Sequence, residues 1–182
     1  MAEAPSPDEP RFTCPVMPMT LAIRPTPDPA NDLVLVTLDA QGGVTPMAGF
    51  GNHGGSMGHL DGNGCLVDGE GVTLADASVP PNIWTTQSTH EVEPSHGGLK
   101  LGTTGRAMRI NNEGFAELIS AEGNPEPFVG NSQIVFTGYG PGAECGARML
   151  MIVFFIMMPT LVNPDGNPQK VAPPPGSRCV HK

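Results

Sequence analysis

Apolar residues along this chain come in short runs rather than in long amphipathic stretches. Residues 33–38, 65–67, 72–75, 107–110, 115–119 and 134–136 are such runs, each set between polar, glycine-containing segments. Runs of this length, bounded by turn residues, read as β-strands. The separators share a pattern. Asp39-Ala-Gln-Gly42, Asp61-Gly-Asn-Gly64, Asp68-Gly-Glu-Gly71 and Asn111-Asn-Glu-Gly114 are all Asp/Asn-x-x-Gly, and Ala121-Glu-Gly123 is a looser relative. Asp or Asn opens a type I turn by bonding nearby backbone, and Gly takes the positive φ that closes it. The pattern predicts a mainly β fold of short hairpins, arranged as a sandwich, a barrel or an irregular β-roll. The turns are spaced too unevenly for a solenoid.

One segment departs from this rhythm. Residues 149–158 (MLMIVFFIMM) are apolar without interruption and end at Pro159. Ten residues are too few to span a bilayer, so the segment belongs to a core. The β-branched and aromatic centre suits a buried strand. The methionines and the Gly146-Ala-Arg148 lead-in suit a buried helix starting near Glu144, and the reading leans to the helix. The expectation is one buried apolar helix or strand near 145–158.

Composition adds tails to the picture. The 182 residues include 24 Gly and 21 Pro, which disfavour long helices. Eight of the prolines lie in residues 1–32 and predict an extended arm, with a short edge strand at 17–23. Residues 163–182, with Pro173-Pro-Pro175, read as a second arm, leaving 33–162 as the β-rich domain. The opening residues 1–10 have neither the basic start nor the apolar run of a secretory signal. They read as a mature N-terminus with an added Met, or as the start of a cytoplasmically made chain.

Charge and cysteines narrow the class. Nine Lys and Arg against 18 Asp and Glu make the chain acidic, which disfavours nucleic acid and anionic lipid as partners. Cys14, Cys65, Cys145 and Cys179 form no CxxC pair, so a zinc ribbon or a thioredoxin-like motif is absent. Four dispersed cysteines in a loop-rich chain suit two disulfides, which three pairings would satisfy. Joining Cys145 to Cys179 and Cys14 to Cys65 would pin each arm to the core.

Each motif that could carry chemistry has a plainer reading. Gly54-Gly-Ser56-Met-Gly58 fits the nucleophile-elbow pattern, but that chemistry needs a helix after the serine and no helix-forming run follows. Gly49-x-Gly51-x-x-Gly54 fits a dinucleotide fingerprint, and further glycines at 55, 58 and 62 defeat the helix it requires. Asp61-Gly-Asn-Gly-Cys65 offers too few oxygens for a calcium loop. His53 and His59, with Met57 between them, and His90 and His96 form two equally spaced pairs whose donors suit copper or zinc. Their spacing converges on neither a helix face nor a strand face, so no metal or other cofactor is expected.

Residues 58–75, with their paired Asp-Gly-x-Gly turns, resemble uncharacterised bacterial cell-envelope β-proteins. That resemblance implies no functional residue. The resulting expectation is a non-enzymatic structural or assembly protein of an extracellular surface or cell envelope. It would have no membrane span and would self-associate through the N-terminal arm. A secreted or periplasmic copper- or zinc-binding module is the alternative, and a hydrolase comes third.

Overall fold

The hairpins foreseen in the sequence join into a ring. A computed structural model describes residues 13–47, 56–86, 89–93, 98–100, 107–111, 113–126, 132–157 and 171–181. Its strands are β1 (Met19–Arg24), β2 (Leu33–Leu38), β3 (Gly43–Pro46), β4 (Gly58–Leu60), β5 (Cys65–Val67), β6 (Thr73–Val79) and β7 (Asn82–Thr85). They continue as β8 (Thr89–Glu93), β9 (Gly98–Lys100), β10 (Ala107–Ile110), β11 (Phe115–Ile119), β12 (Pro125–Glu126) and β13 (Gln133–Thr137). From β1 to β11 each strand pairs with the next, antiparallel, and β13 inserts between β11 and β1. The pairing of β10 with β11 closes the wall, leaving β12 outside a barrel of twelve strands. Of the three architectures open to the sequence, the chain adopts the barrel.

Five of the connecting turns are one device. In each of the first four, the Oδ1 of the opening residue accepts from the N–H groups two and four positions on. The bonds are 2.9 and 2.8 Å at Asp39, 2.8 and 3.1 Å at Asp61, 2.8 and 3.0 Å at Asp68, and 2.9 and 3.0 Å at Asn111. Ser120 opens the fifth, the looser relative, through its hydroxyl at 3.2 Å from the Asn124 N–H. Gly42 shows why the fourth place is glycine. Its φ is +93°, and an added Cβ would strike the carbonyl oxygen of Leu60 on the neighbouring hairpin.

Register sorts the residues into an inner and an outer face. Leu21 stands between Phe136 and Val36, Leu38 opposite Met19 and Val44, and Leu66 between Leu60 and Ala75. All of these are buried in one apolar cluster, the barrel interior. Cys65, Asp76 and Trp84 lie side by side in the alternate register, on the outer face.

The apolar segment fills the barrel. It is helical, as α1 (Glu144–Ile152), and continues as a π-helical turn over Val153–Met157. Residues 149–153 are all fully buried, which at 100° per residue leaves no face open to solvent. The helix packs against β1 and β2 and also against β6, which stands elsewhere in the ring. A segment enclosed by a closed wall has no strand edge to pair with, so it must satisfy its own backbone. That settles helix over strand. No helix among the described residues is long and apolar enough to cross a membrane.

The tails differ from expectation. Within residues 1–32, the foreseen edge strand is an interior one: β1 has β13 on one side and β2 on the other. The boundary expected between residues 32 and 33 therefore falls inside the β1–β2 hairpin, which Arg24 clamps with two bonds of 2.8 and 2.9 Å to Asp32. The first twelve residues lie outside the described part. Both disulfides form, but they link Cys14 to Cys145 and Cys65 to Cys179, not Cys14 to Cys65 and Cys145 to Cys179. Each bond joins an end of the chain to the opposite half, because the ring brings the start of β1 beside the start of α1 and lays the C-terminus over β5.

Candidate functional site

Residues 171–181 run across the outer wall as a strap over β5, β6 and β7. At its near end, the Val171 N–H donates to the Thr86 carbonyl at 2.8 Å, and the Trp84 indole N–H donates to the Val171 carbonyl at 3.2 Å. At its far end, the Thr73 hydroxyl donates to the Val180 carbonyl at 2.6 Å. Cys179, bonded to Cys65, anchors the strap between them.

The chemistry is concentrated beneath that anchor. Asp76 and Ser78 stand two apart on β6 and so share a face. The register shifts between Asp76 and Val79, and the Ser78 N–H bonds the Asp76 Oδ1 at 2.8 Å. The Ser78 hydroxyl adds a second bond to Oδ1 at 2.6 Å and accepts from the Arg178 N–H at 3.0 Å. The other carboxylate oxygen, Oδ2, accepts from the Ser177 hydroxyl and lies 3.0 Å from Nε2 of His181. The His181 ring meets Trp84 edge-on, with centroids 4.8 Å apart.

Asp76 is fully buried, which by itself disfavours its charge. Hydrogen bonds from Ser177, Ser78 and His181 outweigh that burial and hold the carboxyl below its usual range. The site is a buried carboxylate that accepts hydrogen bonds from Ser78 on β6 and from Ser177 and His181 on the strap.

Ser177, His181 and Asp76 are the residue types of a hydrolytic triad, but their polarity is reversed. A carboxylate only accepts, so the Nε2 facing Asp76 must carry the proton. The same Nε2 lies 3.1 Å from the Ser177 oxygen, whose own proton is given to Asp76. A general base needs an unprotonated nitrogen toward the serine, with the carboxylate on the other ring nitrogen. Here both contacts fall on one nitrogen, and the arrangement is a latch.

Asp76, Cys179 and His181 also bring three ligand atoms within 4.8 Å of one another. The Cys179 sulfur is in a disulfide and is not a thiolate, the form that binds metal. An open cleft of about 350 Å³ adjoins the cluster, with Trp84, His181, Thr73 and Val171 on its walls. A second cleft, about 450 Å³ beside β11 and β13, lies across the ring and includes none of these residues.

The residues singled out in the sequence are dispersed. His53 and His96 lie outside the described residues, as do Gly49, Gly51 and Gly54. His59 is exposed on β4, and Met57 packs against the core just before it. His90 is buried on β8, its Nδ1 3.3 Å from the Lys100 carbonyl, and burial lowers its pKa. β4 and β8 are four strand places apart, about 19 Å along the wall, so His59 and His90 share no site. Ser56 precedes a strand, not a helix, and donates to the Gly58 carbonyl at 3.0 Å, which removes the nucleophile elbow.

Sequence reasoning missed Asp76, Ser177 and His181. The available signal was Cys179 itself. A disulfide draws its neighbours against the partner strand, and Ser177-Arg-Cys-Val-His181 is a polar cluster centred on a cysteine. Set against family models, curated proteins and solved structures, the chain finds no match in any of the three.

Proposed function

We propose that this chain is a non-enzymatic structural protein that assembles at an extracellular surface or particle. The observation that carries this reading is how the best-placed polar groups are used. Asp76, Ser78, Ser177 and His181 bond one another and the strap backbone, as a latch requires. A nucleophile held in this way has no base to activate it. The filled interior supports the same reading, because α1 occupies the space in which a barrel of this kind would carry a ligand. Two disulfides favour an oxidising compartment, extracellular or in a cell envelope.

The route of association differs from strand addition by an N-terminal arm. β1 already has both neighbours, and among the described strands of the closed wall none offers an open edge, β12 outside the wall excepted. Side-chain contact is the geometry that the wall itself offers. Leu33 and Val34, adjacent at the start of β2 and 50% and 43% exposed, support it.

Light scattering across a range of concentrations tests the assembly reading, with thiol labelling of the unreduced protein alongside. A concentration-dependent oligomer with no labelled cysteine is expected. A monomer at every concentration rejects assembly, and labelled thiols reject the oxidising compartment. A metal-binding module is the second reading; the convergence of Asp76, Cys179 and His181 would serve it only with the Cys65–Cys179 disulfide reduced.

A further inference from the structure

We infer that the clasp of the strap is exchangeable: reduction of the Cys65–Cys179 disulfide creates a zinc site from Cys65, Cys179, Asp76 and His181. This inference does not depend on how copies of the chain associate.

The geometry rests on two independent placements. Cys65 and Asp76 are direct partners across the β5–β6 ladder, on the same outer face of the wall. Cys179 and His181 come from the strap, two residues apart, and are held against that face from outside. Ligand atoms of Asp76, Cys179 and His181 already lie within 4.8 Å of one another, and the Cys65 sulfur is bonded to that of Cys179. In a tetrahedral zinc site, bonds of about 2.0–2.3 Å put neighbouring ligand atoms roughly 3.5 Å apart. The two sulfurs must separate and the other ligands draw in slightly, changes that side-chain rotation on the strap can supply. Two thiolates, an imidazole and a carboxylate form a donor set that suits zinc.

The chemical step balances with a dithiol as the reductant. One of its thiolates attacks the Cys179 sulfur, which is half-buried, whereas Cys65 is 2% exposed. The S–S bond breaks as the mixed disulfide forms, and Cys65 leaves as a thiolate. The second thiol of the reductant then displaces Cys179, and the reductant departs as its own disulfide, having given two electrons and two protons. Zinc releases both thiol protons when it binds. His181 takes the tautomer with its proton on Nδ1, so that Nε2 turns from donor to ligand.

The strap would then be held by a metal in place of a disulfide. An oxidised clasp closes the strap where the surroundings are oxidising, and zinc closes it where a dithiol has opened the bond.

The test uses the full chain, reduced with a dithiol, desalted under nitrogen and titrated with zinc against a chromophoric chelator. One tightly held equivalent is expected in the reduced protein and none in the oxidised protein. His181→Ala should bind zinc at least about tenfold more weakly while keeping the circular dichroism of the parent. Cobalt(II) in the same site should give the visible bands of a tetrahedral ion with thiolate charge transfer. Equal binding by the oxidised protein, or undiminished binding by the reduced His181→Ala variant, overturns the inference. An octahedral cobalt spectrum does the same. So does a reduced chain that loses its β signal and does not recover it when zinc is added.

Discussion

The Ser177 hydroxyl donates to Oδ2 of Asp76, joining residues 101 positions apart in the chain. The pairing works in both directions. Asp76, carried on β6 and fully buried, would be costly as an unpaired charge. The strap is proline-rich and has no regular secondary structure of its own. It gains a fixed place by supplying the donors that the carboxylate lacks, and each element completes the other.

This coupling makes strap docking acid-labile. Folding holds the Asp76 carboxyl below its usual range, so the folded chain binds fewer protons there than the unfolded chain. The stabilisation is therefore whole above the ordinary carboxylate pKa, near about 3.9, and is lost as pH falls through the lower, folded value. Trp84 is the sole tryptophan and touches His181, so its fluorescence reports the strap. An acid titration should show a fluorescence change below about pH 4 that Asp76→Asn abolishes or displaces. A profile unaffected by that substitution would remove Asp76 from the latch.

The repeated turns give a prediction about oxygen rather than charge. Asp68 Oδ1 holds two backbone N–H groups, and Asn111 makes the equivalent bonds with an amide oxygen. Asp68→Asn should be nearly neutral by thermal denaturation. Asp68→Ala should cost about 1–2 kcal/mol, from two lost bonds of modest net worth. Equal costs for the two variants would mean that the carboxylate charge matters more than the turn.

These turns were legible in the sequence because each is decided within five residues. The helix was nearly so, since an apolar run with that lead-in has few alternatives, and enclosure by the wall removed the last one. The β10–β11 hairpin was legible from its Asn111 turn, but the insertion of β13 between β11 and β1 that completes the ring left no local trace, because it depends on the summed twist of the whole wall. Nor did the pairing of Cys14 with Cys145, which follows from where the ring brings the ends. The prolines around β1 pointed away from a barrel strand. Yet Pro18 precedes β1 and Pro25 follows it, so both frame the strand rather than interrupt it. The site was hidden for a related reason. Asp76 sits in an ordinary strand, and its donors arrive from a tail whose composition suggests a solvated arm.

Truncation separates an arm from a wall strand. Deleting residues 1–32 removes β1, strips one of the two partners from each of β2 and β13, and opens the barrel. That variant should lose its cooperative unfolding transition. A chain starting at residue 13 keeps β1 and Cys14 and should retain the transition. Circular dichroism melts of the two compare them directly, and a folded, cooperative 33–182 fragment would contradict the placement of β1.

The fit of the helix inside the barrel is tested most directly at Gly146, where two effects oppose each other. An added Cβ would come to 3.2 Å from both Leu38 Cδ2 and Met19 Cε, on the wall strands β2 and β1. Those atoms are the ends of flexible side chains and can yield by a few tenths of an ångström. Replacing glycine within a helix also gains roughly 0.5–1 kcal/mol of propensity. Gly146→Ala should therefore change stability by less than about 1 kcal/mol, the gain and the crowding nearly cancelling. Gly146→Val adds two more methyl groups to a space already closed by the wall and carries the poorer helix propensity of a branched residue. It should cost about 1–3 kcal/mol by urea denaturation, with an unchanged slope. The contrast between the two variants is the informative quantity, because a helix lying outside the barrel would accept valine about as readily as alanine.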